Sequence, residues 1–442
     1  MSEIEESQSR TAGSDSGAEV RHNPSVIDGG WGWLVVLGGF ATFILWSGLL
    51  KGLGVLLSSV TTDLTQNTGL TGEMIAILAG IRSLGGPFAG PIGDKFGYRL
   101  VVMTTSFSAA LGIIFAAFTH TTMQFLICLA VISGVSFSAP TILTKAMIGR
   151  YFHHRFALAI GLASAGDSLS MVLIAPMMQV LLDTYGWRGA LLIQGGLCLH
   201  LIAVGALLRD PPMSEETQLG YTSIPNEDKI VESSEQTDQT PASSKSFLKT
   251  FNFSVLTKLV FWVICLVMTG TYLISILWYL YFVPHAEAKG FTPGQAVTFV
   301  AVAGVGQIVT KIAMGKLIDK EMISSRVGLV LCITTCSLTL VIDPLLHTFW
   351  PMMIVTTIFG SSFGMVFCLV DVFAKEIAGN DGLASALGFI DLIGGISRIF
   401  LGFAPGWIYE KSGSYDTAFV FIGGLYLTTL LPLVTEWIID KR

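Results

Sequence analysis

Lys51, Arg82, Asp167, Lys311, Asp391 and Arg398 each fall inside a long apolar stretch of this chain. An ionised side chain in hydrocarbon is costly, so charges in such places face other protein or a water-filled path and mark routes for ions and protons. Lysine and arginine there suit a small anion, and an aspartate suits a proton or the balancing of those cations. Lys51 lies in the middle of its stretch, too deep for its stem to reach either interface easily. Gln307 and Lys311 stand four apart and share one helical face. Asp391 and Arg398 are seven apart, nearly on one face, but about 10 Å apart along a helix axis. Asp371 and Lys145 sit nearer the ends of their stretches, where Lys145 is expected to snorkel to the interface. No nucleophile–base pair, phosphate-cradling loop or metal-ligand cluster accompanies these residues, so neither an enzyme, a metal site nor a cofactor is expected.

Composition says what must position them. Of the 442 residues, 52% are hydrophobic and 13% charged, about half the charged share of a soluble domain. This excludes a soluble enzyme, a disordered scaffold and a nucleic-acid binder with a basic face; the solvent is a lipid bilayer. Twelve apolar runs follow Trp31, near 34–60, 74–93, 100–119, 123–149, 157–182, 190–208, 256–283, 295–318, 327–346, 350–374, 383–408 and 417–438. Each is long enough to span as a helix. The fold expected is an all-α membrane protein of twelve transmembrane helices in two six-helix halves. Residues 1–30 read as a polar tail, 31–208 as the first bundle, 209–255 as a linker loop and 256–440 as the second bundle. With both termini cytoplasmic, 17 of the 25 Lys and Arg residues fall in inside segments, and only Arg188, Lys289 and Lys411 fall outside. That asymmetry follows the positive-inside rule. All six cysteines lie in apolar runs and read as small core filler.

The chain also echoes itself. Gly90-Pro-Ile-Gly-Asp94-Lys95-Phe-Gly97-Tyr-Arg99 follows the second run, and Gly315-Lys-Leu-Ile-Asp319-Lys320 follows the eighth. Two copies of G-x-x-x-D-K in corresponding places of two halves are a mark of secondary transporters built from repeats.

Asp28-Gly29-Gly30-Trp31-Gly32-Trp33, at the mouth of the first run, resembles the signature of the monocarboxylate transporter family, and Gly90–Arg99 is similar to the loop motif of the major facilitator superfamily. Arg150–Arg155 with Ala157–Gly161, Gly186–Gly189 and Gly413–Phe419 resemble the same family. The resemblance implies a carrier working by alternating access in the plasma membrane, moving a small monocarboxylate such as lactate or pyruvate, with protons as a coupling ion. It implies that Lys51 binds the substrate carboxylate, that Phe363 helps size the cavity, and that Gly90, Asp94, Lys95 and Arg99 belong to an inner gate. A single-pass glycoprotein chaperone accompanies some relatives.

The chain departs from that pattern in the eighth run. Proton-coupled members carry an Asp and, four residues later, an Arg where this chain has Gln307 and Lys311. Gln307 cannot ionise, and Lys311 lacks the fork that grips a carboxylate. Arg82 and Lys51 are then expected to attract the anion, with Asp391 or Asp167 titrating in place of the missing aspartate. The opposing reading makes Asp391–Arg398 a structural ion pair. Phe367 replaces a small polar residue of the lactate carriers, which points to a different or more apolar solute, with a plain core aromatic as the equal alternative. Two further readings remain: a facilitative carrier of another solute, such as an aromatic amino acid, ketone body or creatine-like zwitterion, and a nutrient receptor with a transporter fold.

Overall fold

The computed structural model describes residues 28–64, 71–211 and 253–440. Most of the expected tail and linker, 1–27 and 212–252, lies outside the described residues. The first set of helices comprises α1 (Gly32–Leu64), α2 (Thr71–Leu84), α3 (Gly86–Phe96), α4 (Tyr98–Ala116), α5 (Thr122–Tyr151), α6 (Phe156–Cys198) and α7 (Leu201–Leu207). The second comprises α8 (Leu259–Ala288), α9 (Pro293–Asp319), α10 (Ser325–Ile342), α11 (Phe349–Leu401), α12 (Ala404–Ser412), α13 (Tyr415–Thr428) and α14 (Leu430–Asp440).

Among the described residues, eleven helical segments are long and apolar enough to cross a bilayer. The remaining run, 74–93, also folds as helix but is broken at Gly85 between α2 and α3, with a proline opening α3. Proline lacks the N–H that would continue the ladder, which explains the break. Two long helices reverse at a glycine in the left-handed region: α6 at Gly186 (φ 70°) and α11 at Gly379 (φ 68°). A side chain there would be strained, and each reversal folds one continuous helix into two crossings. Thr292 opens α9 with a capping box to Gln295.

The outer surface carries large apolar side chains, among them Phe118, Met123, Trp350 and Phe400, as a lipid-facing wall requires. Inside, one continuous core joins both sets, running from Val35, Tyr98, Ile148 and Phe156 to Phe261, Phe363 and Leu383. A separate cluster, including Trp46, Leu56, Phe125 and Trp187, packs within the first set alone. The shared core therefore lies toward the end bearing the two Asp-Lys turns, termed the motif end below.

There the two sets touch backbone to backbone. A Cβ on Gly86 would stand 2.7 Å from the Gly388 carbonyl, one on Gly161 2.7 Å from the Lys311 carbonyl, and one on Gly315 2.9 Å from the Ala157 carbonyl. Only glycine permits such approach between helices. These three crossings, α3 on α11 and α6 on α9 twice, fix how the charged residues meet.

Candidate functional site

Two charged clusters occupy the middle of the bundle, each spanning both sets. In the first, Asp167 on α6 lies between two lysines. Lys51 of α1 is 3.3 Å from its Oδ1, and Lys311 of α9 is 4.0 Å from its Oδ2. Lys51 also donates to the Asp167 carbonyl at 2.7 Å and to Ser170 Oγ at 3.0 Å, while Ser47 donates to Oδ1 of Asp167. Lys311 is almost fully buried and donates to the Ser164 carbonyl and to Ser168 Oγ, both at 2.9 Å. Ser168 in turn donates to Oε1 of Gln307 at 2.8 Å. The carboxylate missing from position 307 is thus supplied to Lys311 from the neighbouring helix, by Asp167.

The second cluster centres on Asp391 of α11. Arg82 of α2 donates to its Oδ1 at 2.6 Å, Ser83 at 3.3 Å and Tyr272 at 3.4 Å. Arg82 also donates to Thr141 at 3.1 Å and lies over the Trp46 ring at 5.0 Å. Arg398 does not pair with Asp391; its guanidinium stacks 4.0 Å above the ring of Tyr272. The helical spacing that put Asp391 and Arg398 on one face was met, but the nearer cation across the interface took the carboxylate.

Four cations (Lys51, Arg82, Lys311, Arg398) therefore surround two carboxylates, Asp167 and Asp391. Gln307 Nε2, Asp391 Oδ2, Arg82 Nε and Arg398 Nε are buried without a hydrogen-bond partner among the described residues. Each such atom costs about 1–3 kcal/mol when left unpaired. Three of the four belong to the cluster of Arg82, Asp391 and Arg398, and the fourth stands beside Lys311.

Aromatic side chains line the same level. Phe363 is 5.4 Å from Phe367 and 6.1 Å from Tyr279, and Phe367 is 6.0 Å from Tyr272, all between ring centroids. Tyr279 lies in a π-helical turn of α8, Leu277–Tyr281. The wider turn rotates the helix face locally, a distortion often found at functional sites.

Toward the motif end, Lys145 of α5 pairs with Asp371 of α11 at 2.8 Å. It does not snorkel: a buried carboxylate 226 residues away offers a nearer partner than the interface. Closer still to the end, Asp319 of the second G-x-x-x-D-K copy accepts the N–H groups of Ala157 and Leu158 at 2.9 Å each. It caps the exposed N-terminus of α6, where the helix dipole favours an anion. Lys375 does the converse, donating to the carbonyls of Gly149 (2.9 Å) and Phe152 at the C-terminal end of α5. Both contacts cross between sets. In the first copy, Asp94 pairs with Arg150 at 3.3 Å, Gly90 is buried, and Lys95 and Arg99 are exposed. Asp28 binds the turn between α5 and α6, accepting N–H groups from His153, His154 and Arg155 at 2.8–3.1 Å. Burial raises its pKa, but those three donors outweigh it and hold the carboxyl below the usual 3.8.

A family profile described as the Major Facilitator Superfamily matches residues 35–402, with a second match over 260–441. The chain belongs to the Major Facilitator Superfamily. It is a multi-pass membrane transporter of that superfamily and not an enzyme. The chain is 28% identical to monocarboxylate transporter 13 of Rattus norvegicus, over 94% of this chain and 91% of that protein. It is 27% identical to monocarboxylate transporter 12 of Mus musculus, over 90% and 83% respectively. The resemblance carried by Asp28–Trp33 is met by these superfamily relatives. In fold it resembles the human organic anion transporter MFSD10 (TETRAN), at 15% identity and a TM-score of 0.68, over 91% of this chain and 98% of that one.

Of the residues singled out from the sequence, Lys51, Lys311, Gln307 and Asp167 meet in one cluster, and Arg82 and Asp391 in the other. Phe363 and Phe367 stand in the aromatic wall. Tyr272, which touches both Asp391 and Arg398, was not singled out. Its one available signal was a spacing of seven from Tyr279 on a shared face. The hydroxyls of Ser47, Ser168 and Ser170 gave no signal, since serines in membrane helices are common.

Proposed function

We propose that this protein carries a small monocarboxylate anion across the plasma membrane by alternating access, with the motif end and both termini facing the cytoplasm. The observation that supports this most is the charge balance at the centre, four cations around two carboxylates with four buried polar atoms unpaired. An anion completes such a site, whereas a cation or neutral solute leaves the excess charge uncompensated. The monocarboxylate-transporter names of the relatives support the same substrate class. The closed motif end, held by Asp319, Lys375 and the glycine crossings, supports a state in which the cytoplasmic side is shut and the site communicates with the opposite side.

Asp391 and Asp167 take different parts in this reading. Asp391 carries the coupled proton: it bridges the two sets, and its Oδ2 has no partner, so it can accept a proton without first losing a bond. Protonation weakens the Arg82 bridge and frees the sets to move. Asp167, wedged between Lys51 and Lys311, balances part of their charge. Uptake of labelled pyruvate and lactate into proteoliposomes tests the reading, with and without an inward proton gradient. Gradient-driven accumulation is the expected result. Equilibration unaffected by the gradient would remove the proton from the mechanism, and no uptake by folded protein would remove the carrier function.

A further inference from the structure

Among the four cations of the central site, Arg398 has no carboxylate partner among the described residues. Lys51 and Lys311 share Asp167, and Arg82 holds Asp391. Arg398 instead lies over the Tyr272 ring, its Cζ 4.0 Å from the centroid, with its Nε buried and unpaired. A guanidinium stacked on a ring by its face keeps its edge free, and that edge carries the paired N–H donors that match a carboxylate. Stacking also fixes the plane of the fork, so less freedom is lost when it binds.

From Tyr272 the aromatic wall leads away in steps of 5.4–6.1 Å, through Phe367 and Phe363 to Tyr279. At its far end Lys51 lies 5.6 Å from the Tyr279 centroid. The wall joins an unpaired cation to the lysine cluster by an unbroken run of rings. A body of two or three carbons would cover little of it. An aryl group, stacked edge-to-face or offset on these rings, would cover much more.

We propose that Arg398 receives the substrate carboxylate and that the Tyr272–Phe367–Phe363–Tyr279 wall receives an aromatic body, making the preferred substrate an aryl monocarboxylate. This inference rests on the carrier reading and specifies its ligand. Arg398 acts as a binding residue, and the proton remains with Asp391.

The test is uptake of labelled phenylpyruvate and pyruvate by the full-length protein in proteoliposomes, for the wild type and for Arg398→Gln, Arg398→Lys and Tyr279→Leu. For the wild type, the KM for phenylpyruvate is expected to be at least tenfold below that for pyruvate. Arg398→Gln is expected to raise both values at least tenfold, and Arg398→Lys, which keeps the charge without the fork, by less. Tyr279→Leu is expected to raise the phenylpyruvate value several-fold more than that of pyruvate. Should Arg398→Gln fail to fold, the wild-type comparison and Arg398→Lys still decide the matter. A wild type that takes pyruvate as well as or better than phenylpyruvate overturns the inference and leaves the carrier reading standing, as does an Arg398→Gln protein with unchanged KM. Uptake of neither acid, with no shift of the melting temperature by either, overturns both.

Discussion

Arg82 and Asp391, 309 residues apart in sequence, meet at 2.6 Å across the interface between the two sets of helices. Both are largely buried, and each has one further polar atom without a partner. Removing one member of a buried pair leaves an uncompensated charge and costs about 3–5 kcal/mol. In the proposed mechanism the pair is both the latch between the sets and the carrier of the proton, and the two roles separate by mutation. Asp391→Asn removes the ionisable group but keeps a hydrogen-bond acceptor for Arg82. Wild-type uptake is expected to be driven by an inward proton gradient, and the variant's to be unaffected by it. A gradient response retained in Asp391→Asn would take the proton from this residue.

Asp167 makes a contrasting case. Substituting Asn leaves Lys51 and Lys311 without their shared counter-ion. The anion should bind more tightly and leave more slowly, since two uncompensated lysines add to the attraction of the site. Kinetic analysis of Asp167→Asn is expected to give a KM lowered several-fold and a maximal rate lowered tenfold or more. A raised KM with an unchanged maximal rate would contradict the balancing role.

The glycine crossings can be probed with a native reporter. Cys368 is fully buried where the sets meet, its Sγ 2.9 Å from Ser164 Oγ of the other set. Gly86→Val places bulk against the Gly388 carbonyl and should hold the motif end apart. In a variant keeping only Cys368, maleimide labelling from the motif side of inside-out vesicles should quicken at least threefold. Unchanged labelling would mean that the crossing yields without opening the interface.

Asp28 offers a pH-dependent stability test outside the membrane. Its pKa is held below 3.8 in the folded protein, so the stabilisation is fully present above that value. It fades as pH falls through the lower folded-state value. Asp28→Ala should cost about 1 kcal/mol at neutral pH, the usual worth of a capping carboxylate. The difference in melting temperature from the wild type should shrink on strong acidification, and a difference independent of pH would point to packing alone.

The spans and their buried charges were legible in the sequence because a bilayer penalises charge so heavily that each exception stands out. Partner choice was not. Asp391 lies seven residues from Arg398 and pairs with Arg82 on another helix; Lys145 lies near a helix end and pairs with Asp371. Local spacing ranks partners within a helix, while glycine crossings between helices decide the outcome. The break at Gly85 was hidden for a related reason. The run 74–93 is continuous in hydropathy, and only the Gly-Gly-Pro string at 85–87 hinted that the backbone ladder stops there.

The outermost hydrogen bonds across the motif end draw their side chains from one side of the interface. Asp319 and Lys375 supply the side chains from the second set, and the first set answers with main-chain N–H and carbonyl groups alone. Main-chain groups survive any replacement that preserves the helix ends. The hydrogen bonds therefore do not call on the side chains at 149, 152, 157 and 158, although Gly149 has no room for a Cβ beside Leu383 and Phe152 and Ala157 are buried. A single change at 319 or 375, by contrast, removes one of the two anchoring side chains, so the gate's chemistry is lopsided: one half contributes side chains and the other its backbone.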